Sequence, residues 1–383
     1  MQHLTKSPFA LLVVLLIITF ASACQSAGGS PSAGEAVVYV AAPLSGVRAE
    51  AGQSALGGAR LAAAEINRDG GLLGQRLVVK AMDDRSDSGT ALTIVHRIGE
   101  AVEQGERIAG VIGHMEGGTT SSALPRYDEM GLVLISPAAG MRALTHRGFS
   151  SFFRVNANDG VQAELSARFL VEEIDADRIA VVNVATAYGN GLAESLAGNL
   201  RALGATTAIV VEVAEGQQDF SETALRIGEA GADAVYFAGT GSGASFLYAS
   251  LMAAELDLPV LASDGSFVAS IIDSEAGTSE GLYISGLAPS PEKTAEAGWI
   301  EAYREVVHRD PGPFSINGYL AMQVLAAGVR AANSFEGQAI GQAVRESGAE
   351  TRFGPIRFSA NGDRVDARIW IYRVEKGRFR QLD

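Results

Sequence analysis

The sequence predicts an α/β protein of two lobes, each a doubly wound parallel sheet with helices on both faces. Short apolar runs alternate with segments whose apolar residues recur at helical spacing, and strands covered by helices on both faces have this continuous apolar character. The alternation runs once to about residue 150 and begins again near residue 160. A chain of 383 residues also exceeds what one hydrophobic core of ordinary size organises.

The first 23 residues predict an export signal. Lys6 lies near the start, and the apolar run from Phe9 to Phe20 is too short to span a bilayer but has the length of a signal-peptide core. Residues 24–35 are rich in Gly, Ser and Pro and predict a flexible tether.

Cys24 follows Ala21-Ser22-Ala23, and this run resembles the lipobox of bacterial lipoproteins, although Ala21 stands where that motif more often has Leu. Cys24 is the only cysteine of the chain, so it cannot form an internal disulfide. We therefore expect it to carry a lipid that holds the protein at a membrane surface without spanning the membrane. The alternative is an ordinary secretory signal cut near Ala23.

The first round of alternation starts at Ala36. Its predicted strands are AVVYVAAPLS, RLVVKAMDD, IAGVIG and LVLISPA. The helical segments between them are ALGGARLAAAEINRDGG, which stops at Gly70-Gly71, then GTALTIVHRIGEAVEQG, and a segment that ends at Gly131.

The second round follows an irregular crossing near FFRVNANDG and opens with the helical segment VQAELSARFLVEEI. Strands are predicted at RIAVVNVA, TAIVVEVA, DAVYFAG and PVLASDG, with helices at LAESLAGNLRALG, FSETALRIGEAG and GASFLYASLMAAEL. Two further helices, KTAEAGWIEAYREVVH and FSINGYLAMQVLAAGVRAAN, precede a closing hairpin that contains ARIWIYRVE. This order predicts two lobes between which the chain crosses several times.

Turns rich in Gly, Ser and Asp follow the predicted strands, and we expect them to line one cleft, because open α/β sheets bind ligands at the carboxyl ends of their strands. The turns include GHMEGGTTSS, SPAAG, ATAYGNG, GTGSG and SDGSF. In the first, Gly117 and Gly118 let the backbone approach an anionic group, which the dipole of the following helix would favour. The alternative is that this loop only caps a helix that starts near Thr119.

Composition and motifs exclude several functional classes. The net charge is −14 and the pI is about 4.9, without a basic stripe that could bind nucleic-acid phosphates. The sequence contains no Walker A, HExxH or paired-cysteine motif. We therefore expect no catalytic residue, no metal site and no cofactor. His114 lies in the first binding turn, where it either touches a ligand or is held by backbone groups.

One enzyme hypothesis stays open as the lesser alternative. Gly239-x-Gly241-x-x-Ala244 lies between a predicted strand and a predicted helix, and Asp264 follows about twenty residues later, as in a dinucleotide-binding fingerprint. An exported protein meets little NAD, and the pattern lies in the second round instead of at the start of a domain. An NAD-dependent enzyme is thus the weaker interpretation.

Four stretches resemble the type I periplasmic solute-binding proteins of ABC importers, in the branch that binds branched-chain amino acids. They are AAAEINRDGGLLGQRLVVKAMDDRSD, VIGHMEGGTTSSALPRYDEMGLVLISPAA, RIAVVNVATAYGNGLAESLAGNLRALGA with the following GQQDFSETALRIGEAGADAVYFAG, and FGPIRFSANGD. The resemblance runs in order from Val37 to Asp383.

This resemblance implies two lobes joined by three chain crossings, which close on a ligand as a hinge in the manner of a Venus flytrap. We place the crossings near Asp159, near Leu287 and near Phe358. The first lobe would then hold residues 36–159 and 287–358, and the second lobe residues 160–286 and 359–383.

The resemblance also implies residues that line the cleft. In the second lobe the aromatic of the Y-G motif falls at Tyr188, and the acid that pairs with a ligand ammonium falls at Asp264. The alternative role of Asp264 is to cap the turn SDGSF. The aromatic on the third crossing falls at Phe314, the apolar contact of the first binding loop at Met115, and the carbonyl acceptor of the SPAAG loop at Ala138.

Two positions of the carboxylate grip depart from the family pattern. The hydroxyl residues that usually hold the α-carboxylate fall at Gly117 and Gly140. We expect the backbone N–H groups of Gly117 and Gly118 to hold the anionic end of the ligand, with Thr119 or Thr120 as the replacement hydroxyl.

Further departures affect the identity of the ligand. A second-lobe aromatic falls at Thr240, and the cysteine pair common in this branch falls at Ser86 and Glu116. A carboxylate at Glu116 opposes an anion in the neighbouring turn, so we expect this side chain to point to solvent. Otherwise the ligand carries a second positive or amide group. These departures argue against plain leucine or valine and leave an amide, a larger amino acid or another small polar compound open.

The predicted function is that of an exported solute-binding lipoprotein. It would be a monomer that captures an amino acid or an amide-like compound by hinge closure and delivers it to the permease subunits of an ABC importer. It would lie on the periplasmic or exterior side of the cell membrane through its lipid anchor, with no nucleic-acid partner. The alternative is a ligand sensor of the same fold that signals through a membrane receptor.

Overall fold

The structure is a computed structural model, and it describes residues 34–272 and 279–382. The predicted signal peptide, Cys24 and the tether up to residue 33 lie outside these residues. Within the described ranges, no helix combines the length and the apolar character that crossing a membrane requires.

The first lobe is built on five strands. They are β1 (Glu35–Ala42), β2 (Arg76–Asp83), β3 (Ile108–Gly113), β4 (Leu134–Ser136) and β5 (Phe152–Arg154). Their order in the sheet is β2-β1-β3-β4-β5, and all neighbouring pairs are parallel. Strands β1 and β3 are almost wholly buried and apolar, because helices cover both faces of the sheet.

The helices between these strands are α1 (Ala49–Arg68), α2 (Ser88–Glu103), α3 (Gly117–Glu129) and α4 (Ala143–His146). Helix α2 begins where the sequence provides an N-cap, since the Asp87 carboxylate accepts a hydrogen bond from the Thr90 N–H at 2.7 Å.

The second lobe repeats this architecture. Its parallel strands are β6 (Arg178–Val184), β7 (Thr206–Val213), β8 (Ala234–Ala238), β9 (Val260–Ala262) and β10 (Tyr283–Gly286). Its helices are α5 (Asp159–Arg168), α6 (Ala187–Ala202), α7 (Ser221–Glu229) and α8 (Gly243–Ala253).

The chain then returns to the first lobe through α9 (Pro291–Thr294), α10 (Ala297–Val307), α11 (Phe314–Ala332) and α12 (Gly337–Ser347), followed by a hairpin of β11 (Ala349–Thr351) and β12 (Gly354–Ile356). Helix α11 packs closely across α1. A Cβ at Gly58 would lie 1.8 Å from the Ser315 carbonyl oxygen, and a Cβ at Gly318 would lie 1.9 Å from the Ala55 carbonyl oxygen. Glycine at both positions therefore permits this helix crossing.

The last two strands, β13 (Trp370–Glu375) and β14 (Arg378–Gln381), form a hairpin that joins the second sheet. Strand β13 pairs antiparallel with β10, which gives the order β14-β13-β10-β9-β8-β6-β7. The predicted class of two α/β lobes is confirmed, with an antiparallel edge on the second sheet. The lobe boundaries at Asp159, Leu287 and Phe358 stay predictions.

Arg154 is fully buried at the end of β5 and joins several segments around the chain crossings. Its Nε donates to Asp363 Oδ1 at 2.6 Å, and its Nη1 donates to the carbonyl oxygens of Ala139 at 2.8 Å and Met141 at 3.0 Å. Its Nη2 donates to Thr145 Oγ1 at 2.9 Å. Burial lowers the pKa of Arg154, and the Asp363 carboxylate opposes that shift. The guanidinium thus ties the SPAAG loop to the segment around residue 363.

A second buried side chain makes a similar link. Asn317 on α11 donates through Nδ2 to the carbonyl oxygen of Pro137 at 2.8 Å and to that of Leu287 at 3.0 Å. It therefore joins the turn after β4 to the chain that leaves β10.

Replacing Arg154 with Met should lower the free energy of unfolding by about 3–5 kcal/mol, because the Asp363 carboxylate loses its only cationic partner among the described residues and the carbonyl oxygens of Ala139 and Met141 lose a charged donor. Denaturant unfolding measures this loss. The matched control is Arg304→Met, since Arg304 pairs with Asp310 at 2.6 Å while the two side chains are 57% and 79% exposed. A loss below about 1 kcal/mol is expected there. Equal losses in the two variants would contradict a structural role of the buried pair.

Candidate ligand-binding cleft

Turns at the carboxyl ends of the strands of both sheets meet, and Arg48 joins them. Arg48 lies between β1 and α1. Its Nε pairs with Glu116 Oε1 at 2.7 Å, after β3, and its Nη2 donates to the carbonyl oxygen of Gly265 at 3.2 Å, after β9. The two lobes therefore face each other across a cleft that these turns line.

The turn after β3 leads directly into α3, which begins at Gly117, two residues before the predicted start near Thr119. The hydroxyls of Thr119 and Thr120 donate back into the turn, to the carbonyl oxygen of Glu116 at 3.0 and 2.7 Å. Both side chains are buried. The structure therefore does not give either threonine the ligand-facing hydroxyl expected of it.

The expectation that Glu116 points to solvent is wrong. Its carboxylate pairs with Arg48, lies within reach of the Ser86 hydroxyl, and is only 27% exposed. Burial raises the pKa of Glu116, and Arg48 opposes the rise, whereas the negative charges of Asp84 and Asp264 add to it. Arg48 was not predicted as a cleft residue. The one feature of the sequence that could have pointed to it is its position as a positively charged residue after the first strand.

Two neighbouring side chains explain the glycines at the predicted carboxylate grip. A Cβ at Gly117 would lie 2.7 Å from the Cβ of Met141, and a Cβ at Gly140 would lie 2.1 Å from Asp159 Oδ1. The space that a hydroxyl side chain would need is thus taken by Met141 and by the Asp159 carboxylate. Gly118 meets no such limit, since Ser88 Oγ, at 3.8 Å, is the one atom of the described residues that lies within 4 Å of its Cβ position.

Asp159 begins α5 and lies against the SPAAG turn, where its N–H donates to the carbonyl oxygen of Gly140 at 2.8 Å. Burial raises the pKa of Asp159 to about 7, and the charge of Asp264 adds to the rise, whereas Arg154 and Arg142 oppose it. Among the described residues, no group donates a hydrogen bond to this carboxylate. In the sequence, Asp159 marks only the predicted place of a crossing, although an acid at a crossing between lobes is a signal for the cleft.

Asp264 and Tyr188, both predicted to line the cleft, are in contact. The Tyr188 hydroxyl donates to Asp264 Oδ1 at 2.5 Å and accepts from the Gly265 N–H at 3.3 Å. Burial raises the pKa of Tyr188 well above its usual value, so the phenol stays a donor. Among the residues that the structure describes, no side chain caps the short 3₁₀ turn Asp264–Ser266, which argues against a purely capping role for Asp264. Thr240 is exposed beside Gly265.

Met115, Ala138 and Phe314, the apolar contacts predicted for the cleft, are buried in one apolar cluster. This cluster also contains Phe267 of the second lobe. The three residues therefore lie where the two lobes approach each other.

His114 is fully buried and cannot touch a ligand in the cleft. Side chains hold it, in contrast to the expected backbone contacts: its Nδ1 lies 2.6 Å from Asp84 Oδ2 and its Nε2 lies 3.3 Å from the Tyr127 hydroxyl. Its carbonyl oxygen accepts from Ser136 Oγ at 2.7 Å. The residue anchors the turn after β3 to the interior of the first lobe.

Packing explains the glycine turn between β8 and α8. A Cβ at Gly239 would lie 2.4 Å from the ring of Phe237, and a Cβ at Gly243 would lie 2.8 Å from the same ring. Asp264, the acid of the dinucleotide pattern, is engaged by Tyr188. The glycines thus fit this turn without a nucleotide.

The comparisons with known proteins agree with this geometry. Residues 38–378 match the family described as periplasmic binding protein. The chain is 28% identical over 374 residues to the Leu/Ile/Val-binding protein homolog 1 of Brucella abortus (strain 2308), and the match covers 97% of each chain. It is 29% identical over 326 residues to the Leu/Ile/Val-binding protein of Citrobacter freundii, and this match covers 85% of this chain and 87% of the Citrobacter protein.

Among solved structures, the chain is similar to an ABC transporter substrate-binding protein from Desulfitobacterium hafniense in complex with Leu. The TM-score is 0.77 at 25% identity, and the match covers 91% of this chain and 100% of the other. These matches confirm the resemblance that the four sequence stretches carry.

Replacing Asp159 with Asn should stabilise the ligand-free protein, and increasingly so as the pH rises. The pKa of about 7 lies above the usual value near 4, so the stability from the protonated acid is fully present below about pH 4 and is lost as the pH rises to 7. The Asn variant lacks this loss. We expect its advantage in unfolding free energy to grow by about 1–3 kcal/mol between pH 4.5 and pH 8.

Denaturant unfolding at both pH values measures this difference. The control is Asp69→Asn, because Asp69 is exposed at the end of α1 and should give a difference that does not change with pH. An advantage of Asp159→Asn that stays constant over the same range would contradict the burial of an ionisable carboxyl at this position.

Proposed function

The chain belongs to the periplasmic binding protein family, and on this premise we propose that it captures a small ammonium-bearing ligand in the cleft between its lobes. The ligand lies between the turns after β3 and β4 in the first lobe and the turns after β6, β8 and β9 in the second. It is an amino acid or an amide-like compound.

The position of Asp264 is the observation that carries this proposal. Tyr188 donates to Oδ1 of its carboxylate, and among the described residues no group donates to Oδ2. The adjacent residue Gly265 is the one that Arg48 of the first lobe reaches. An anionic oxygen without a partner thus lies where the two lobes meet, and a ligand ammonium satisfies it by a charge-assisted hydrogen bond.

The relatives support an amino-acid-like ligand. Two of them are Leu/Ile/Val-binding proteins by name, and one structural neighbour holds Leu. Such ligands share an ammonium group and an apolar side chain. Met115, Ala138 and Phe314, buried together at the junction of the lobes, supply the apolar surroundings for that side chain.

Binding from both lobes couples ligand capture to closure of the cleft, because a ligand favours the state in which it makes more contacts. The closed protein then delivers the ligand to the permease of an ABC importer. A sensor that signals through a membrane receptor uses the same closure. Neighbouring permease and ATPase genes favour transport, and their replacement by a receptor gene favours sensing.

We further propose that Cys24 carries a lipid and that the tether lets the body reach a partner at the membrane. One acyl chain binds a membrane only weakly, whereas two acyl chains anchor a protein stably. A diacylglycerol on Cys24 would therefore suffice to hold the protein at the membrane.

Replacing Cys24 with Ser should move the protein from the membrane fraction to the soluble fraction or leave it unprocessed. The reason is that only the cysteine thiol accepts the lipid. Fractionation followed by immunoblotting measures the distribution, with Ser26→Ala in the same tether as control. Normal cleavage combined with unchanged membrane association of Cys24→Ser would contradict lipidation.

Replacing Asp264 with Asn should weaken ligand binding by about 100- to 1,000-fold, roughly 3–4 kcal/mol, because the ligand ammonium loses its charged partner in a closed cleft. The ligand is first found by a thermal-shift screen of amino acids, amides and small acids, with NAD included to test the enzyme alternative. Calorimetry then measures the affinity of the variant.

The matched control is Asp219→Asn, an exposed acid of the same lobe, whose affinity should stay within about twofold of wild type. Tyr188→Phe keeps the ring and removes only the hydroxyl that orients Asp264, so a smaller loss is expected. An Asp264→Asn affinity within about threefold of wild type would eliminate the ammonium-partner role.

A further inference from the structure

We propose that the cleft selects a net-cationic ligand, an amine with an apolar side chain whose ammonium group is not accompanied by a free carboxylate, such as an amino acid amide. This inference rests on the proposed function and concerns the first-lobe end of the same cleft. There, the charges and the hydrogen-bond partners oppose an anion.

Three carboxylates approach the cleft, and only one of them has a cationic partner there. Glu116 is paired with Arg48 at 2.7 Å, whereas Asp159 and Asp264 have no ion pair among the described residues. Besides burial, the negative charge of Asp264 raises the pKa of both Glu116 and Asp159, so the three groups are within electrostatic reach. A ligand cation balances the charge of Asp264 and favours the ionised form of Asp159, whose pKa of about 7 leaves it partly protonated at neutral pH, whereas a zwitterion adds no net charge.

The N-terminus of α3 already has an anion beside it. Glu116 is the N-cap residue of this helix; its carboxylate makes no capping hydrogen bond and pairs with Arg48, yet it puts a negative charge at the end of the helix where a ligand carboxylate would bind. The hydroxyls of Thr119 and Thr120 donate to the Glu116 carbonyl oxygen. A ligand carboxylate in this turn would meet a like charge and find no free hydroxyl donor from either threonine.

The turn after β4 presents an acid in place of a hydroxyl. The carboxylate of Asp159 fills the space that a Cβ at Gly140 would need, at 2.1 Å from that position. Arg142 is the other cation near it, but its side chain is exposed and opposes the pKa rise of Asp159 less than the buried Arg154 does. A donor such as a primary amide or an amine therefore fits this end of the cleft better than an acceptor.

An apolar groove runs beside Arg48 and gives room for the side chain of such an amine. It lies between α1, the start of α11 and the second lobe. Its apolar lining includes Val47, Ala51, Phe267, Val268, Phe314 and Phe379.

The test uses pairs of probes that differ only at the carboxylate. L-leucine is compared with L-leucinamide, and L-phenylalanine with L-phenylalaninamide, by calorimetry on the wild-type protein at pH 7. The acid 4-methylpentanoate serves as the probe without an ammonium. We expect each amide to bind at least tenfold more tightly than its amino acid, and 4-methylpentanoate not to bind.

Two variants locate the effect. Glu116→Gln frees Arg48 for an anion and should shift the affinity ratio at least tenfold toward the amino acid. Asp159→Asn should weaken amide binding at least tenfold and change amino acid binding less than threefold. The control is Glu129→Gln at the exposed end of α3, which should leave both affinities within twofold.

The outcomes separate this inference from the proposed function. Tighter binding of the amino acids than of their amides overturns the inference and leaves the proposed function standing. Binding of 4-methylpentanoate alone, or of none of the probes, overturns both. An amide preference that Glu116→Gln and Asp159→Asn leave unchanged overturns the assignment to these residues.

Discussion

The buried guanidinium of Arg154 is the constraint on which the first-lobe side of the cleft depends. A charge without solvent must be paired and hydrogen-bonded, and this one draws together Asp363, Thr145 and the carbonyl oxygens of the loop after β4. The same loop is tied from its other side by Asn317. These contacts hold the loop after β4 and also the chain near Leu287 and Asp363, where it passes between the lobes. One set of polar contacts therefore fixes both the binding surface of the first lobe and the path of the chain between the lobes.

The cleft itself is organised by an imbalance of charge. Arg48 offsets Glu116 and at the same time reaches the backbone of Gly265 in the second lobe. Asp159 and Asp264 make no ion pair in the described part of the chain. Asp159 lies at the start of α5 against the turn after β4, and Asp264 lies in the turn after β9. The repulsion between the two carboxylates disfavours ionisation of both, and a ligand that carries positive charge relieves it.

The fold was largely predictable from the sequence, since strands buried on both faces and amphipathic helices leave strong periodic patterns. The sequence pattern could not predict that β13 and β14 extend the second sheet, because the pairing of β13 with β10 joins segments that are distant in the chain. Cleft residues that sit in family motifs, such as Tyr188 and Asp264, could be placed, and the structure brings these two into contact. Arg48 and the carboxylate of Asp159 could not be placed, because their roles arise from side chains that meet across distant segments. Glu116 was misjudged for the same reason: its partner lies 68 positions earlier in the chain.

The contact between Ser86 and Glu116 has a consequence for the conditions under which the protein can fold. The family resemblance implies a cysteine pair at these two positions, and the chain has no cysteine other than Cys24. The loop after β2 and the turn after β3 are therefore joined by exchangeable hydrogen bonds and charges instead of a covalent link. Folding of the body requires no oxidant and no disulfide isomerase, so it proceeds equally in reducing and oxidising surroundings.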